Sequence, residues 1–175
     1  MLVQLGKRPE ASDIVDLLLE CHQRIRKFLS ISRSLATTPD ADPAQTKDAA
    51  AQVRRYFAES LPMHVADEQE QVLPRLVSAS PDIARALATM TEEHDTHAPL
   101  VEQLVAVCDR LVEDPRQAAA VSAELTQIVD KLTQELEPHL EAEERVIFPA
   151  LRRLPSEQRD EILVAMRERR ARALG

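Results

Sequence analysis

The segments LPMHVADEQEQVLPRL (61–76) and LEPHLEAEERVIFPAL (136–151) decide the fold of this chain. They form an internal repeat, because a histidine, a glutamate, a proline and the flanking leucines recur at a constant distance of 75 residues. Apolar residues lead into both segments at the spacing of one helix face, as Val53, Phe57 and Leu61 and as Leu125, Val129, Leu132 and Leu136. The repeat therefore predicts two long, equivalent helices in the two halves of the chain.

Three further segments carry the same helical spacing, and turn residues separate the five segments from one another. Ser12 or Asp13 is suited to cap the first helix, and the stretch TTPDADP over 37–43 has the composition of a turn. Pro62 lies inside the second helix, so a kink is expected near Leu61. The predicted helices cover about 13–36, 44–77, 82–112, 116–151 and 156–172.

Long helices with short connections predict an all-α fold: an up-down-up-down four-helix bundle over about 13–151, with a short fifth C-terminal helix over about 156–172. A length of 175 residues suits one domain, so the whole chain is interpreted as a single domain. The two glycines, Gly6 and Gly175, leave the interior without the residue that phosphate-binding loops and tight hairpins need. Aromatic residues make up 2%, which is too few for a β-sandwich or a base-stacking surface.

Charge and the amino-terminal sequence narrow the classes of partner. A formal net charge of −8 disfavours nucleic acid, and the one basic run, Arg167 to Arg172, is interpreted as the C-terminal turn of a helix, where cations complement the helix dipole. The start of the chain has no apolar stretch long enough for a signal peptide, and no run approaches membrane-spanning length. Cys21 and Cys108 are too few for a disulfide framework. We expect a cytoplasmic protein that binds neither nucleic acid nor membranes.

The informative residues are polar ones that interrupt the apolar stripes in phase with them. Every histidine of the protein, together with two glutamates, falls on a predicted inward helix face: His22, His64, Glu68, His94, His97, His139 and Glu143. Burying an unpaired imidazole or an ionised carboxylate costs several kcal/mol, so these groups need a common partner.

A metal pair is the partner that the ligand types favour. Each half of the chain supplies one histidine and then a His-x-x-x-Glu motif, so two imidazoles and a carboxylate come from each half. That set suits iron(II) with open coordination positions, and two facing sets predict two metals bridged by the carboxylates. The alternative is a buried, hydrogen-bonded polar cluster without metal.

These residues resemble the hemerythrin-like family, the His-His-Glu cation-binding domains. The resemblance covers about 13–151 and rests on His22, on HVADE followed by VLP, on EEHDTH, and on HLEAEE followed by IFP. It implies two non-haem irons with a bridging oxo or hydroxo group, held by His22, His64, Glu68, His94, His139 and Glu143. It also implies that dioxygen, nitric oxide or a redox change acts at a vacant iron position. Zinc and manganese accept much of the same ligand set.

His97 departs from the family pattern. The oxygen-carrying members use two histidines four residues apart on the third helix, whereas His97 follows His94 by three residues and Ala98 takes the next place. Three roles stay open for His97: a fifth histidine ligand, a hydrogen-bonding neighbour of a ligand, or a packed core residue.

Three functional hypotheses follow, in order of preference. The apolar neighbours of the ligands suit reversible binding of a small neutral gas, so the first is a di-iron carrier or sensor of dioxygen, nitric oxide or iron state rather than an enzyme. The second is an iron-handling enzyme that oxidises ferrous iron, handles peroxide or supplies iron for the repair of iron–sulfur clusters. The third is a metal-stabilised interaction domain with the fifth helix as its docking surface.

Overall fold

A computed structural model describes residues 13–174, and these residues contain helices and turns but no β-strand. The helices are α1 (Ile14–Thr37), α2 (43–76), α3 (Pro81–Glu113), α4 (118–152) and α5 (Ser156–Leu174). The predicted all-α fold with five helices is confirmed, and Asp13 caps α1 by accepting a hydrogen bond from the backbone N–H of Val15 at 2.8 Å. Ser12, the alternative cap, lies outside the described residues.

Helices α2 and α4 are continuous rods that contain π-helical turns. In α2, α-helical Pro43–Arg55, Leu61–Asp67 and Leu73–Leu76 are joined by π-turns at Tyr56–Ser60 and Glu68–Val72. In α4, which follows the 3₁₀ turn Pro115–Gln117, α-helical Ala118–Ala142 and Phe148–Arg152 are joined by a π-turn at Glu143–Ile147.

Each π-turn ends two residues before a proline. Proline has no N–H and cannot continue the usual backbone ladder, and the N–H of the preceding residue instead reaches five residues back. Leu73 thus donates to the carbonyl oxygen of Glu68, and Phe148 donates to that of Glu143. The irregularity expected near Leu61 likewise takes the form of a π-turn. The sequence repeat is therefore also a structural repeat, because Glu68 and Glu143 open equivalent π-turns.

Packing around the bundle places each helix between two neighbours: α1 contacts α2 and α4, and α3 contacts the same two. The buried apolar residues form two clusters, one toward the 37–43 turn and one toward α5. On α1, Ile25 belongs to the first cluster and Leu18 to the second, and His22 lies between them. His22 therefore marks a polar layer across the middle of an otherwise apolar interior.

Helix α5 is tied to the bundle by charged side chains. Asp67 of α2 is fully buried and accepts hydrogen bonds from Arg169 at 2.8 Å and from Arg170 at 2.7 Å. Arg159 donates to Asp13 at 2.6 Å. The basic run at the end of α5 thus neutralises a buried carboxylate beside Glu68, a role that its position along the sequence did not indicate. Among residues 13–174, no helix combines the length and apolar content needed to cross a lipid bilayer.

Candidate metal centre

The five histidines and the two glutamates on the predicted inward faces are all buried, with at most 8% of any of these residues exposed. The four helices of the bundle each contribute at least one of them, so the side chains converge from all sides on the middle of the core. Six of these seven residues form two groups whose possible ligand atoms lie within 4.8 Å of one another.

The first group contains His22, His64, Glu68 and Glu143. His22 Nε2 lies 3.1 Å from Glu143 Oε2, and His64 Nε2 lies 3.2 Å from Glu68 Oε1. The two imidazole rings meet edge to face with their centroids 5.3 Å apart. Phe148 packs on the ring of His22 and helps to exclude solvent from this side.

The second group contains His94, His139 and Glu143, with Glu68 beside it. His139 Nε2 lies 3.2 Å from Glu143 Oε1, and His94 Nε2 lies 3.3 Å from Glu68 Oε2. Each glutamate therefore directs one oxygen to a histidine of the first group and the other oxygen to a histidine of the second. This is the placement that a carboxylate bridging two metal ions needs.

The donor atoms fit a pair of cations. The four carboxylate oxygens of Glu68 and Glu143 are buried without a hydrogen-bond partner, as are the Nε2 atoms of His22, His64 and His94. Buried polar atoms of this kind are costly unless something satisfies them. Two ligand atoms bound about 2.1 Å from one metal at a right angle lie about 3 Å apart, close to the nitrogen–oxygen distances found here. The cluster is thus suited to hold metal ions.

Two of the four histidines have a carboxylate behind them. His22 Nδ1 lies 2.9 Å from Glu144 Oε1, and His139 Nδ1 lies 2.7 Å from Glu93 Oε2. A carboxylate in this position fixes the orientation of a metal-binding imidazole and makes it a stronger ligand. Sequence reasoning missed Glu144 and Glu93 in this role because each partner lies on a different helix from its histidine. The Nδ1 atoms of His64 and His94 have no such partner.

A salt-bridge cluster closes the bundle surface between α1 and α4. Arg26 donates to Glu144 at 2.8 Å and to Glu137 at 2.7 Å. Because Glu144 also contacts His22, the arginine holds that carboxylate in place against the imidazole. His22 itself has no exposed surface.

Burial and charge set the protonation states of the metal-free cluster. Burial lowers the pKa of His64 to about 3 and that of His94 to about 4, so both rings are neutral at pH 7 and have a lone pair available for a metal. Although burial opposes the change, the charges of Glu143 and Glu93 raise the pKa of His139. Burial, reinforced by the charge of Glu143, raises the pKa of Glu68 well above its usual value.

His97 is buried as predicted, yet it belongs to neither group of converging ligand atoms. Its ring centroid lies 5.1 Å from that of His139, and its Nδ1 atom has no hydrogen-bond partner. His97 therefore lies against the ring of His139 without joining either group of converging ligand atoms.

A cavity of about 580 Å³ lies between α2 and α3, next to the second group. His94 and His139 line it, as do His64 and His97, whereas His22 does not. Its mouth is partly open, because exposed residues such as Ala58 and Ala98 form part of the wall. The cluster is therefore accessible from the α2–α3 side, and the salt-bridge cluster covers the α1–α4 side.

Comparison with protein families agrees with this arrangement. The family model of the hemerythrin HHE cation binding domain matches residues 13–120 and also residues 97–173. No curated protein sequence matches the chain. With four bundle helices, a buried histidine–glutamate cluster and a family match over most of its length, the chain belongs to the hemerythrin HHE cation-binding domain family.

Proposed function

We propose that this chain is a non-haem di-iron protein that binds or senses dioxygen or nitric oxide. Its ligands are His22 and His64 for one iron, His94 and His139 for the other, and Glu68 and Glu143 as bridges. The observation that carries the proposal is the placement of the two glutamates, each of which directs one oxygen toward each pair of histidines.

Iron suits both the type and the number of the donor groups in the cluster. Two imidazoles and shared carboxylates per metal leave coordination positions free, and mixed nitrogen and oxygen ligands suit ferrous iron. Bound iron supplies the redox change and the open position at which a diatomic gas binds. The protein would supply neutral imidazoles at His64 and His94, two carboxylates that are charged once a cation binds, and a mostly apolar cavity wall.

The surroundings favour gas binding over hydrolysis. The cavity wall beside His94 and His139 is mostly apolar, with Phe57, Val101 and Leu136 among its residues. Among the described residues, no serine, threonine, cysteine, lysine or tyrosine side chain lines the cavity, and Tyr56 stacks on Phe28 instead. A small neutral molecule enters such a site readily, whereas a charged substrate loses its hydration there.

Exposure of the reduced protein to each gas tests the proposal. Protein loaded with two equivalents of ferrous iron under nitrogen is mixed with air or with nitric oxide, and its absorption spectrum is recorded. A stoichiometric spectral change that reverses when the gas is removed is expected for a carrier or sensor. Continuous dioxygen consumption with excess ferrous iron would instead indicate an oxidase. The absence of any spectral change with either gas would contradict the proposal.

A further inference from the structure

The two halves of the chain are related by the repeat, but the two outer faces of the metal centre differ. His22 of α1 corresponds to His94 of α3, 72 residues later, and Glu143 of α4 corresponds to Glu68 of α2, 75 residues earlier. The α1–α4 face is therefore the counterpart of the α2–α3 face. A difference between the two faces therefore shows what lies outside the shared repeat.

Each residue of the salt-bridge cluster is replaced on the α2–α3 face. At the same spacing, Arg26 becomes Ala98 and Glu144 becomes Gln69. Glu137 likewise becomes Pro62. All three replacements line the cavity. Small or neutral side chains thus stand where the other face has an arginine held by two carboxylates, and this difference opens the cavity.

The same comparison places a polar side chain on the cavity wall. Ile25, which is fully apolar, corresponds to His97. His97 is 5% exposed, has an unpartnered Nδ1 atom and lies outside the converging ligand groups. His97 is therefore an imidazole outside the six residues proposed to hold iron, on the wall of a cavity that is otherwise mostly apolar.

We propose that the α2–α3 cavity binds an uncharged, mostly apolar organic molecule whose one hydrogen-bonding group pairs with His97. The volume of about 580 Å³ is that of a small-molecule site and far exceeds the need of a diatomic gas, since a water molecule occupies about 30 Å³. Three acidic residues, Asp95, Glu102 and Asp109, line the cavity and disfavour an anion. This ligand site is additional to gas binding.

Titration calorimetry with 4-butylphenol tests the site in the folded protein, both as isolated and after loading with zinc. Zinc is redox-silent, so failure here is distinguishable from failure of the proposed reaction with gases. Saturable binding of one molecule per chain is expected. The anionic analogue 4-butylbenzoate should bind about tenfold more weakly because of the acidic wall. The absence of saturable 4-butylphenol binding would overturn the proposal.

Matched variants locate the binding. Ala98→Phe fills the mouth of the cavity and should weaken 4-butylphenol binding at least about tenfold. Ala123→Phe places the same side chain at an exposed alanine of α4 outside the cavity and should leave binding unchanged. Ala106→Phe, at another exposed position of the cavity wall, serves if Ala98→Phe does not fold. Equal affinity in the folded filled and control variants would place the ligand elsewhere.

One substitution separates the hydrogen bond from the shape of the cavity. His97→Leu should weaken 4-butylphenol binding about five- to tenfold and leave the binding of butylbenzene, which has no hydroxyl group, unchanged. An equal loss for both compounds would show that His97 only shapes the cavity, and no loss for either would show that the phenol does not reach it. Either result would overturn the assigned role of His97.

Discussion

The α1–α4 face and the α2–α3 face of the metal centre are built from equivalent helices, yet they treat their histidines differently. On the first face, Glu144 contacts the Nδ1 atom of His22 and is itself held by Arg26. On the second face, the equivalent His94 has no partner for its Nδ1 atom, and a cavity lies beside it. The α1–α4 face therefore holds the imidazole of His22 with a carboxylate, whereas the α2–α3 face has a cavity beside His94.

This difference separates two requirements that a gas-binding or ligand-binding metal centre has to meet. Metal retention needs imidazoles held in a fixed orientation, and access needs a route through the protein. A symmetric bundle would give both faces the same compromise between the two. Here the repeat supplies the histidines and glutamates common to both faces, and substitutions outside them make the faces unequal.

The largest effect is expected from a residue that serves both pairs of histidines. Glu143→Ala should abolish binding of both metals and lower the free energy of unfolding by about 3–5 kcal/mol, because His22 and His139 lose their common buried partner. Metal analysis and urea unfolding measure the two effects. Glu141→Ala, at an exposed position of the same helix, is the control. Full metal content in the Glu143 variant would refute the bridging role.

The link between α5 and the start of the π-turn at Glu68 should give the next largest effect. Asp67→Ala leaves Arg169 and Arg170 without their buried carboxylate, and we expect the free energy of unfolding to fall by about 3 kcal/mol. Glu70→Ala removes an exposed partner of Arg169 and should cost less than about 1 kcal/mol. Urea unfolding of the two variants compares them, and equal losses would show that burial of Asp67 contributes nothing.

Removing the carboxylate that contacts His22 should make the α1–α4 face resemble the α2–α3 face. Glu144→Gln weakens the contact that orients this imidazole, so metal affinity should fall about 10- to 100-fold. Competition with a chromophoric chelator measures the affinity. Glu137→Gln alters the other carboxylate that binds Arg26, which contacts no histidine, and should change affinity little. An unchanged affinity in Glu144→Gln would mean that packing alone orients His22.

The reciprocal change should give the α2–α3 face the arginine and the carboxylate of the α1–α4 face. In the double variant Gln69→Glu with Ala98→Arg, a carboxylate and an arginine occupy the positions equivalent to Glu144 and Arg26. Metal affinity should rise about tenfold because His94 gains a partner, and 4-butylphenol binding should be lost. Tight 4-butylphenol binding by this variant would show that the missing arginine and carboxylate are not what opens the cavity on the α2–α3 face.

The last comparison concerns protonation in the metal-free protein. His64 and His94, with pKa values of about 3 and 4, should stay neutral at pH 5.5, whereas His139, beside Glu93 and Glu143, should be protonated. Their folded pKa values are depressed, so His64 and His94 contribute stability that is present above about pH 6.5 and lost as the pH falls toward 4. Nuclear magnetic resonance titration of the imidazole nitrogens measures each ring. Protonation of all three rings near pH 6.5 would contradict the packing described here.

The sequence predicted the helices and the inward-facing histidines and glutamates because both follow from spacing along one helix. His64 and Glu68 share a face at four residues apart, and the repeat doubles that pattern at His139 and Glu143. Other features needed the relative placement of different helices. The contact between His22 and Glu144 joins residues that are 122 positions apart.

The helical spacing of apolar residues did not predict the cavity or the contacts of α5. The cavity depends on small residues such as Ala98, which carry no hydrophobic or charged pattern of their own. The bonds from Arg169 and Arg170 to Asp67 depend on how α5 crosses the bundle, which periodicity within one helix does not determine. Alignment of the two halves beyond the ligands would have pointed to Ala98 and Gln69 as the places where they differ.

Metal stoichiometry together with the electronic spectrum tests the central claim most directly. The protein is purified in air without added metal, and its iron content and near-ultraviolet spectrum are measured on the same sample. Two irons per chain with charge-transfer bands of a bridged ferric pair are expected if Glu68 and Glu143 each join the two pairs of histidines. A folded protein that contains no iron and takes up none on reconstitution would contradict the di-iron centre.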